Sequence, residues 1–328
     1  MSPPEVYDPG VTLGSLAPGD LDAQVIRLQA EEHPLIEDGA PRTPQEHCMR
    51  LMHLRAYEVA AVRAVGIDVL EVGCNTGYGT MRFVGVARRI VGVDVSPRAI
   101  DAARLRVRDG SPEFLTTGGG PLPFPDASFD LVVSFQVLEH VPDAPAFLGE
   151  LKRVLRPEGS IILTTPNAAV RLYPGMPPWN RFHVREYLPA ELAALLGATF
   201  GRVAVHGMFG APALYDTEIR RVDGARRAVV RKAEEARIAA ARAAAVAERP
   251  LVIRVARRLI PRAARARLRT ALVRSAPRAT VPVRPTATAP VAVSPADLQA
   301  FLQFSLDDLY YAETDLDRSM DLMAICMP

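Results

Sequence analysis

From residue 68 onward the chain alternates short, β-branched apolar runs with stretches of helical character, and this alternation constrains the fold more than any other feature. "DVLEVG", "RIVGVD", "FDLVVSF" and "SIILTTP" are apolar almost throughout rather than at every second position. That pattern fits strands buried on both faces, as in a parallel sheet covered by helices. Candidate helices fit the gaps: Tyr78 to Arg88, Pro97 to Arg108 with Ser96 as N-cap and Pro97 at the first helical position, and Ala144 to Leu155 closed by the turn "RPEGS". Strands and helices in this order predict a doubly wound α/β sheet of the Rossmann-like kind.

Farther along, "PAELAALLGATF" reads as a helix and "FGRVAVHGMFG" as a strand. The Ala-rich basic stretch from about 218 to 275 reads as two helices separated near Pro250, and "APRATVPVRPTATAPVAVSP" as an extended, Pro-rich linker. The last segment ends in a short apolar strand, Leu322 to Cys326, which must return to the same sheet. The expected organisation is an N-terminal extension and helical cap over 1–60, a core over 61–215, a basic helical insertion with its linker over 216–295, and a C-terminal segment over 296–328 that restores the last strand. A chain of 328 residues is long enough to bury such a core and carry an appendage.

The turn after the first strand, "VLEVGCNTGYGT" over 69–80, places glycines directly after an acidic side chain. A dinucleotide fold needs GxGxxG to admit a pyrophosphate, and here the matching start, Gly77-Tyr78-Gly79, has Arg82 where the third glycine belongs. Glu71 at the mouth of the strand would repel a pyrophosphate and attract a ligand bearing an ammonium and a sulfonium. S-adenosylmethionine carries both charges and no phosphate. Asp94 follows about twenty residues later, at the end of "VGVD", where a carboxylate can accept hydrogen bonds from both ribose hydroxyls.

Together with "VGVDVSPRAI", "LPFPDASFDLVVSFQVLEHVPDAPAFLGELKRVLRPEGSIILTTPN" and "NRFHVREY", this turn makes residues 45 to 207 and the final strand resemble the class I S-adenosylmethionine-dependent methyltransferases. The branch is similar to the ubiquinone-biosynthesis methyltransferases and to those of polysaccharide and natural-product clusters. The resemblance implies a mostly parallel, seven-stranded sheet with an antiparallel last strand. It also implies that Glu71, Gly73, Cys74, Asn75 and Gly77 line the methionine end of the cofactor, and that Asp94 and Val95 hold the ribose. Leu122 would flank the adenine, and Phe135, Gln136 and Val137 would close over the cofactor. Two positions depart from the family pattern. Asn75 stands where a glycine is usual, and asparagine tolerates left-handed backbone, so the turn is expected to be kept. Gly118 stands where the acid that bonds the adenine amino group is expected, leaving backbone groups of "TTGGGP" for that contact.

Methyl transfer from a sulfonium is an in-line displacement, so holding the acceptor in near-attack geometry supplies most of the catalysis. A hydroxyl acceptor also has to lose a proton, and histidine is the natural base. His140 in "VLEHVPD" and His183 in "WNRFHVREY" both fall at the carboxyl edge of the sheet; a structural or capping role is the alternative for His140. His47, Arg50 and His53 lie on a helix in "EHCMRLMHLRAYEVA", on a segment that resembles the cap over cofactor and acceptor, the alternative being a solvated face. Tyr173, Trp179, Arg185 and Tyr187 surround His183 and are candidates for acceptor contact. No acidic cluster with metal spacing is visible, so no metal is expected.

The net charge of +2 conceals an asymmetry. Arg220 to Arg284 holds nineteen Arg or Lys against four acids, an excess of +15, so the rest of the chain carries −13. "ERPLVIRVARRLIPRAARARLRTALVRSAPR" sets apolar residues opposite arginines, as a helix lying on an anionic membrane does; a solvated helical excursion is the alternative. Nucleic-acid phosphates would suit the charge too, but the arm lacks interleaved aromatics and the chain lacks an Asn-Pro-Pro-Tyr tetrad. A membrane-associated methyltransferase points to a sugar hydroxyl of a glycan, lipid-linked saccharide or glycosylated metabolite as acceptor. A small phenol or quinone comes next, and a non-catalytic or nucleic-acid-binding protein of the same fold last. Cys48, Cys74 and Cys326 form no CxxC pair, the N-terminus has no basic start followed by an apolar run, and no stretch is apolar enough to span a bilayer. A cytoplasmic protein, or one peripheral at the inner membrane face, is expected.

Overall fold

The computed structural model describes residues 18–36, 39–247 and 295–328. Helices α1 (Pro18–Glu32) and α2 (Pro44–Arg63) precede β1 (Asp68–Val72), β2 (Arg89–Asp94), α3 (Pro97–Arg104), β3 (Glu113–Thr116) and β4 (Phe129–Phe135). Then come α4 (Ala144–Val154), β5 (Leu155–Pro166), the single turn α5 (Ala168–Arg171), α6 (Pro189–Gly197), β6 (Arg202–Gly210) and the long α7 (Pro212–Ala247). The described chain resumes with α8 (Pro295–Phe301), β7 (Leu309–Ala312) and β8 (Asp321–Met327).

The strands form one eight-stranded sheet in the order β3-β2-β1-β4-β5-β8-β6-β7. The pairs from β3 through β5 are parallel, while β8 lies antiparallel between β5 and β6. Leu322 to Cys326 therefore returns to the sheet as expected. One strand exceeds the expected seven: β7, "LYYA", pairs antiparallel with β6 at the edge. Its four residues are too few to show a period, and Tyr310 points out at 53% exposure.

Alternate residues of the central strands enter different cores. Leu70, Val91, Val132 and Ile161 pack with α4 and α6 residues such as Leu148, Leu151 and Leu192. Val69, Leu131, Val133 and Ile162 pack with Ala56, Tyr57 and Ala60 of α2. Both faces are covered, which is why the strands read as unbroken apolar runs.

Capping follows the local sequence. Ser96 accepts the Ala99 amide at α3, Asp143 the Ala146 amide at α4 and Thr43 the Glu46 amide at α2, each with Pro in the first turn. The helix expected over Tyr78 to Arg88 does not form. Its place is taken by a 3-10 turn, Thr80–Phe83, after which Gly85 at φ 78° reverses the chain into β2. "RPEGS" is not a free turn but part of β5, where the pairing with β4 shifts register between Phe129 and Leu131.

The chain divides into two compact units, residues 1–229 with 294–328, and residues 230–293. Helix α7 begins in the first unit and supplies the described part of the second. The second basic helix and the Pro-rich linker read from the sequence lie outside the described residues. No helix among the described residues is long and apolar enough to cross a membrane.

Candidate functional site

The carboxyl edge of the sheet opens into a cavity of about 980 Å³, roofed by α1 and bounded by α2, the β1 and β2 turns, the β4–α4 loop and the start of α7. Its volume lies at the upper end of the usual range for small-ligand sites.

The cofactor end is organised by two acids. The Asp94 carboxylate accepts the Asn75 amide at 2.8 Å through Oδ2 and the Ser96 amide at 2.9 Å through Oδ1, which locks the turns after β1 and β2 together. Burial raises its pKa against these backbone bonds. Gly73, Cys74, Asn75, Asp94, Val95, Leu122, Phe135, Gln136 and Val137 all line the cavity.

Glu71 and Gly77 do not line it, and both assignments need correction. Glu71 is 1% exposed beneath the turn, where Tyr57 donates its hydroxyl to Oε1 and Thr80 donates to Oε2, each at 2.5 Å. Burial lifts its pKa to about 7, with Asp94 adding to the rise and the two hydroxyl donors opposing it. Tyr57 itself lines the cavity, so the hydroxyl that bonds Glu71 belongs to a residue of the cavity wall. Gly77 shapes the turn instead: it sits at φ 71°, and a Cβ there would come within 2.6 Å of the Phe114 ring.

Asn75 adopts φ 47°, keeping the turn as expected. Its side chain does more than tolerate this backbone. Oδ1 accepts the amides of Ile36 at 2.8 Å and Thr76 at 2.9 Å, and Nδ2 donates to the Pro34 carbonyl at 3.2 Å. Thr76 Oγ1 donates to the Ile36 carbonyl at 2.8 Å. The segment after α1 is thereby tied down across the turn. At the other end Thr117, Gly119 and Gly120 line the cavity while Gly118 does not. A carboxylate does stand nearby: Glu150 of α4 lines the cavity, but its Oε1 already accepts the Leu122 amide and Arg153.

Three histidines meet at the opposite end. The rings of His140 and His183 are edge to face at 4.8 Å, and those of His33 and His140 at 5.0 Å. His140 Nδ1 lies 2.8 Å from the Phe182 carbonyl, which can only accept, so Nδ1 carries the proton and Nε2 the lone pair. Burial, with His183 and His33 adding to it, drives its pKa well below the ordinary value, so the ring is neutral at pH 7. His183 is differently placed. Its Nδ1 donates to Glu186 Oε1 at 2.7 Å and its Nε2 accepts from Asn180 Nδ2 at 2.8 Å. With both nitrogens engaged, it serves as a brace rather than as the second base named from sequence. Burial alone would raise the Glu186 carboxyl, but the His183 hydrogen bond and the Arg171 guanidinium hold it at about 2.

Glu139 is 1% exposed, accepts from Thr165 Oγ1 at 3.0 Å, and its Oε1 stands 3.9 Å from His140 Nε2. Burial raises its pKa. Ligand atoms of Glu139, His140 and His183 lie within 4.8 Å of one another, a spacing open to a metal ion that the sequence did not reveal. The donor set fits poorly, because a cation needs a free lone pair from each ligand, and both nitrogens of His183 already serve Glu186 and Asn180.

Of the residues expected to contact the acceptor, Trp179 lines the cavity, with the Arg171 guanidinium 4.3 Å from its ring centre. The others lie elsewhere. His47 faces the C-terminal segment, its Nε2 2.9 Å from the Phe304 carbonyl and its ring against Phe301. Arg50 donates to the Gly39 carbonyl at the surface. Tyr173 packs under Arg226, Arg185 pairs with Glu191 and covers Tyr187, and Tyr187 is buried in the core beside α6. The α2 residues that do reach the cavity are Met49, Met52, His53 and Tyr57. Gln29 and His33 of the α1 region, Glu139, Glu218, Arg221 and Asp321 were not singled out from sequence, since each is recognisable only from its neighbours in space.

The site suits a cationic group at the turn. The arginines lining it among the described residues are Arg171 and Arg221, already paired with Glu186 and Glu218, so no free cation awaits a phosphate. Glu71 and Asp94 supply negative charge instead, which fits the ammonium, sulfonium and ribose of S-adenosylmethionine.

Comparison with known proteins agrees. Residues 70–163 match the methyltransferase domain family. A probable S-adenosylmethionine-dependent methyltransferase of Mycobacterium tuberculosis is 41% identical over 170 residues, 51% of this chain and 61% of that protein. A demethylmenaquinone methyltransferase of Tropheryma whipplei is 32% identical over 143 residues, 42% of this chain and 58% of that protein. The chain thus spans about three fifths of the length of these relatives. Among solved structures, an S-adenosylmethionine-dependent methyltransferase from Mesorhizobium loti aligns at a TM-score of 0.38 and 18% identity, covering 47% of this chain and 83% of that one.

Proposed function

We propose that the chain, whose residues 70–163 match a methyltransferase domain family, transfers the methyl group of S-adenosylmethionine to a hydroxyl of a saccharide, with His140 as the base. The observation that carries this is the tautomer of His140, whose Nδ1 proton is committed to the Phe182 carbonyl and whose Nε2 lone pair is left for an acceptor in the same cavity as the Gly73–Asn75 turn.

S-adenosylmethionine supplies an electrophilic methyl on a sulfonium. Asp94 and the backbone of the turn would hold the ribose and methionine parts, and Glu71, bonded to Tyr57, would favour the positive end. A hydroxyl oxygen about 2.8 Å from His140 Nε2 would donate its one proton there, while Glu139 Oε1, 3.9 Å from the same nitrogen, is too far for a direct bond to it. His140 then accepts the hydroxyl proton as the oxygen attacks. The imidazolium so formed faces the carboxylate of Glu139, and His183 stays braced by Glu186 and Asn180.

The polar wall supports a saccharide. Gln136, Glu139, Asn180, Arg171, Glu218, Arg221 and Asp321 line the cavity beside Trp179. These groups already have partners, Arg171 in Glu186, Arg221 in Glu218 and Gln136 in Asp321, and a polyhydroxylated acceptor offers them further hydrogen bonds that a flat quinone does not. A small phenol or quinone is the second reading, favoured by the quinone in the name of the Tropheryma whipplei relative. The basic segment 220–284 suits peripheral attachment to an anionic membrane that presents a lipid-linked saccharide.

The test is transfer of labelled methyl to panels of saccharides and of phenols by the wild type and His140→Gln. Turnover on saccharides should fall by about 10² to 10⁴ in the variant, with S-adenosylhomocysteine affinity unchanged. Transfer to phenols alone would replace the saccharide reading, and an unimpaired variant would remove His140 from the mechanism.

A further inference from the structure

Asp321 opens β8 where that strand pairs with Pro166 of β5 and Met208 of β6, so the sheet fixes its backbone on both sides. The residue is 6% exposed, yet it lines the cavity. Gln136, at φ 56°, turns its amide toward this wall and donates from Nε2 to Asp321 Oδ2 at 2.9 Å and to Thr164 Oγ1 at 3.1 Å. Asp321 Oδ1 has no hydrogen-bond partner among the described residues.

Burying a carboxyl with a single partner is costly, and an alcohol or a carbonyl would serve Gln136 as well. A hydroxyl entering the cavity would supply the missing partner. Burial raises the Asp321 pKa well above the usual carboxylate range, with Glu139 and Glu218 adding to the rise and Gln136 and Arg171 opposing it. In its neutral form the group can donate as well as accept. Glu139 links this wall to the candidate base, since its Oε1 is 3.9 Å from His140 Nε2 and its charge is felt at Asp321.

We propose that Asp321 is a specificity-determining residue of the acceptor site, its open carboxyl oxygen hydrogen-bonding a hydroxyl adjacent to the one that is methylated. The inference rests on the saccharide reading and extends it. On this proposal an acceptor with neighbouring hydroxyls engages His140 and Asp321 together, and an acceptor with one isolated hydroxyl engages His140 alone.

The test compares wild type, Asp321→Val and Asp321→Asn in two measurements: S-adenosylhomocysteine affinity by calorimetry, and binding of a panel of methyl hexopyranosides to that complex by saturation-transfer NMR. Valine suits a strand and removes both oxygens, while asparagine keeps a partner for Gln136 and a donor toward the cavity. S-adenosylhomocysteine affinity should stay within about twofold throughout, and saccharide affinity should fall about tenfold in Asp321→Val but only about threefold or less in Asp321→Asn. Saccharide binding undiminished in Asp321→Val overturns the assignment while leaving the saccharide reading intact. Loss of S-adenosylhomocysteine affinity in both variants makes Asp321 a packing residue and also overturns it. A wild type that binds S-adenosylhomocysteine but none of the saccharides removes the saccharide reading, and this inference with it.

Discussion

Replacing Asn75 with glycine separates what the turn needs from what its side chain adds. Glycine accepts φ 47° without strain, so the backbone of the turn and the Asn75 amide bond to Asp94 should persist. The side chain's bonds to the Ile36 amide and the Pro34 carbonyl would be lost, as would its bond to Thr76 within the turn. At about 1 kcal/mol net per hydrogen bond, the two links to the segment after α1 are worth about 2 kcal/mol. The opening equilibrium of residues 33–36 should therefore rise about 30-fold. The Thr76 bond to Ile36 and the Arg98 bond to the Glu31 carbonyl remain, so the segment should loosen rather than detach. Hydrogen exchange reads this directly, because the Ile36 amide is itself the donor to Asn75. Its exchange should accelerate about 30-fold in the S-adenosylhomocysteine complex, while amides of β4 and β5 keep their protection. Unchanged exchange at Ile36 would show that the side chain does not hold the segment. Equal acceleration throughout β1 and β2 would show that the substitution breaks the turn, and either result refutes the reasoning.

Two further outcomes follow from ionisation. Glu71 titrates near pH 7 in the folded protein, above its unfolded value, so between about pH 4.5 and 7 the folded state holds the extra proton and stability declines as pH rises. A cationic ligand favours the ionised form, so S-adenosylmethionine affinity should increase relative to S-adenosylhomocysteine as pH rises through 7; calorimetry in buffers of different ionisation enthalpy should detect proton release, and Glu71→Gln should abolish both effects. Glu186 behaves oppositely: its folded pKa of about 2 lies below the unfolded value, so its contribution is complete above about pH 4.5 and is lost as pH falls toward 2. Thermal unfolding followed from pH 6 down to 3 should show a steeper acid loss in the wild type than in Glu186→Gln, and parallel curves would deny the ion pair that role.

What the sequence disclosed was what is contiguous. Strands buried on both faces appear as apolar runs, and the β1 turn, Asp94 and the α3 cap each sit within a few residues of their signal. The errors lie where a decision belongs to a partner far away. Tyr78 to Arg88 looks helical, but Thr80 is committed to Glu71 and Gly85 turns the chain. His47 and His53 share a helix, and only the packing of α2 against the sheet decides that His53 faces the cavity while His47 faces Phe304. His140 and His183 looked equivalent, and it is Glu186 and Asn180 that occupy both nitrogens of one. Asp321 was invisible as a site residue because its partner Gln136 is 185 positions away.

The Phe182 carbonyl joins the two ends of the site. It accepts from His140 Nδ1 and from Gln29 Nε2, each at 2.8 Å, and a carbonyl has two lone pairs, so neither donor displaces the other. Gln29 belongs to α1, and the segment that follows α1 is the one Asn75 ties across the cofactor turn. The His140 bond sets the tautomer that leaves Nε2 open, while the Gln29 bond anchors α1 to the same loop. The roof over the cofactor turn and the orientation of the base are thus built on one carbonyl. The roof and the base therefore share one support, and a cavity lacking α1 would lose the cover of its turn and a support of the loop that orients His140.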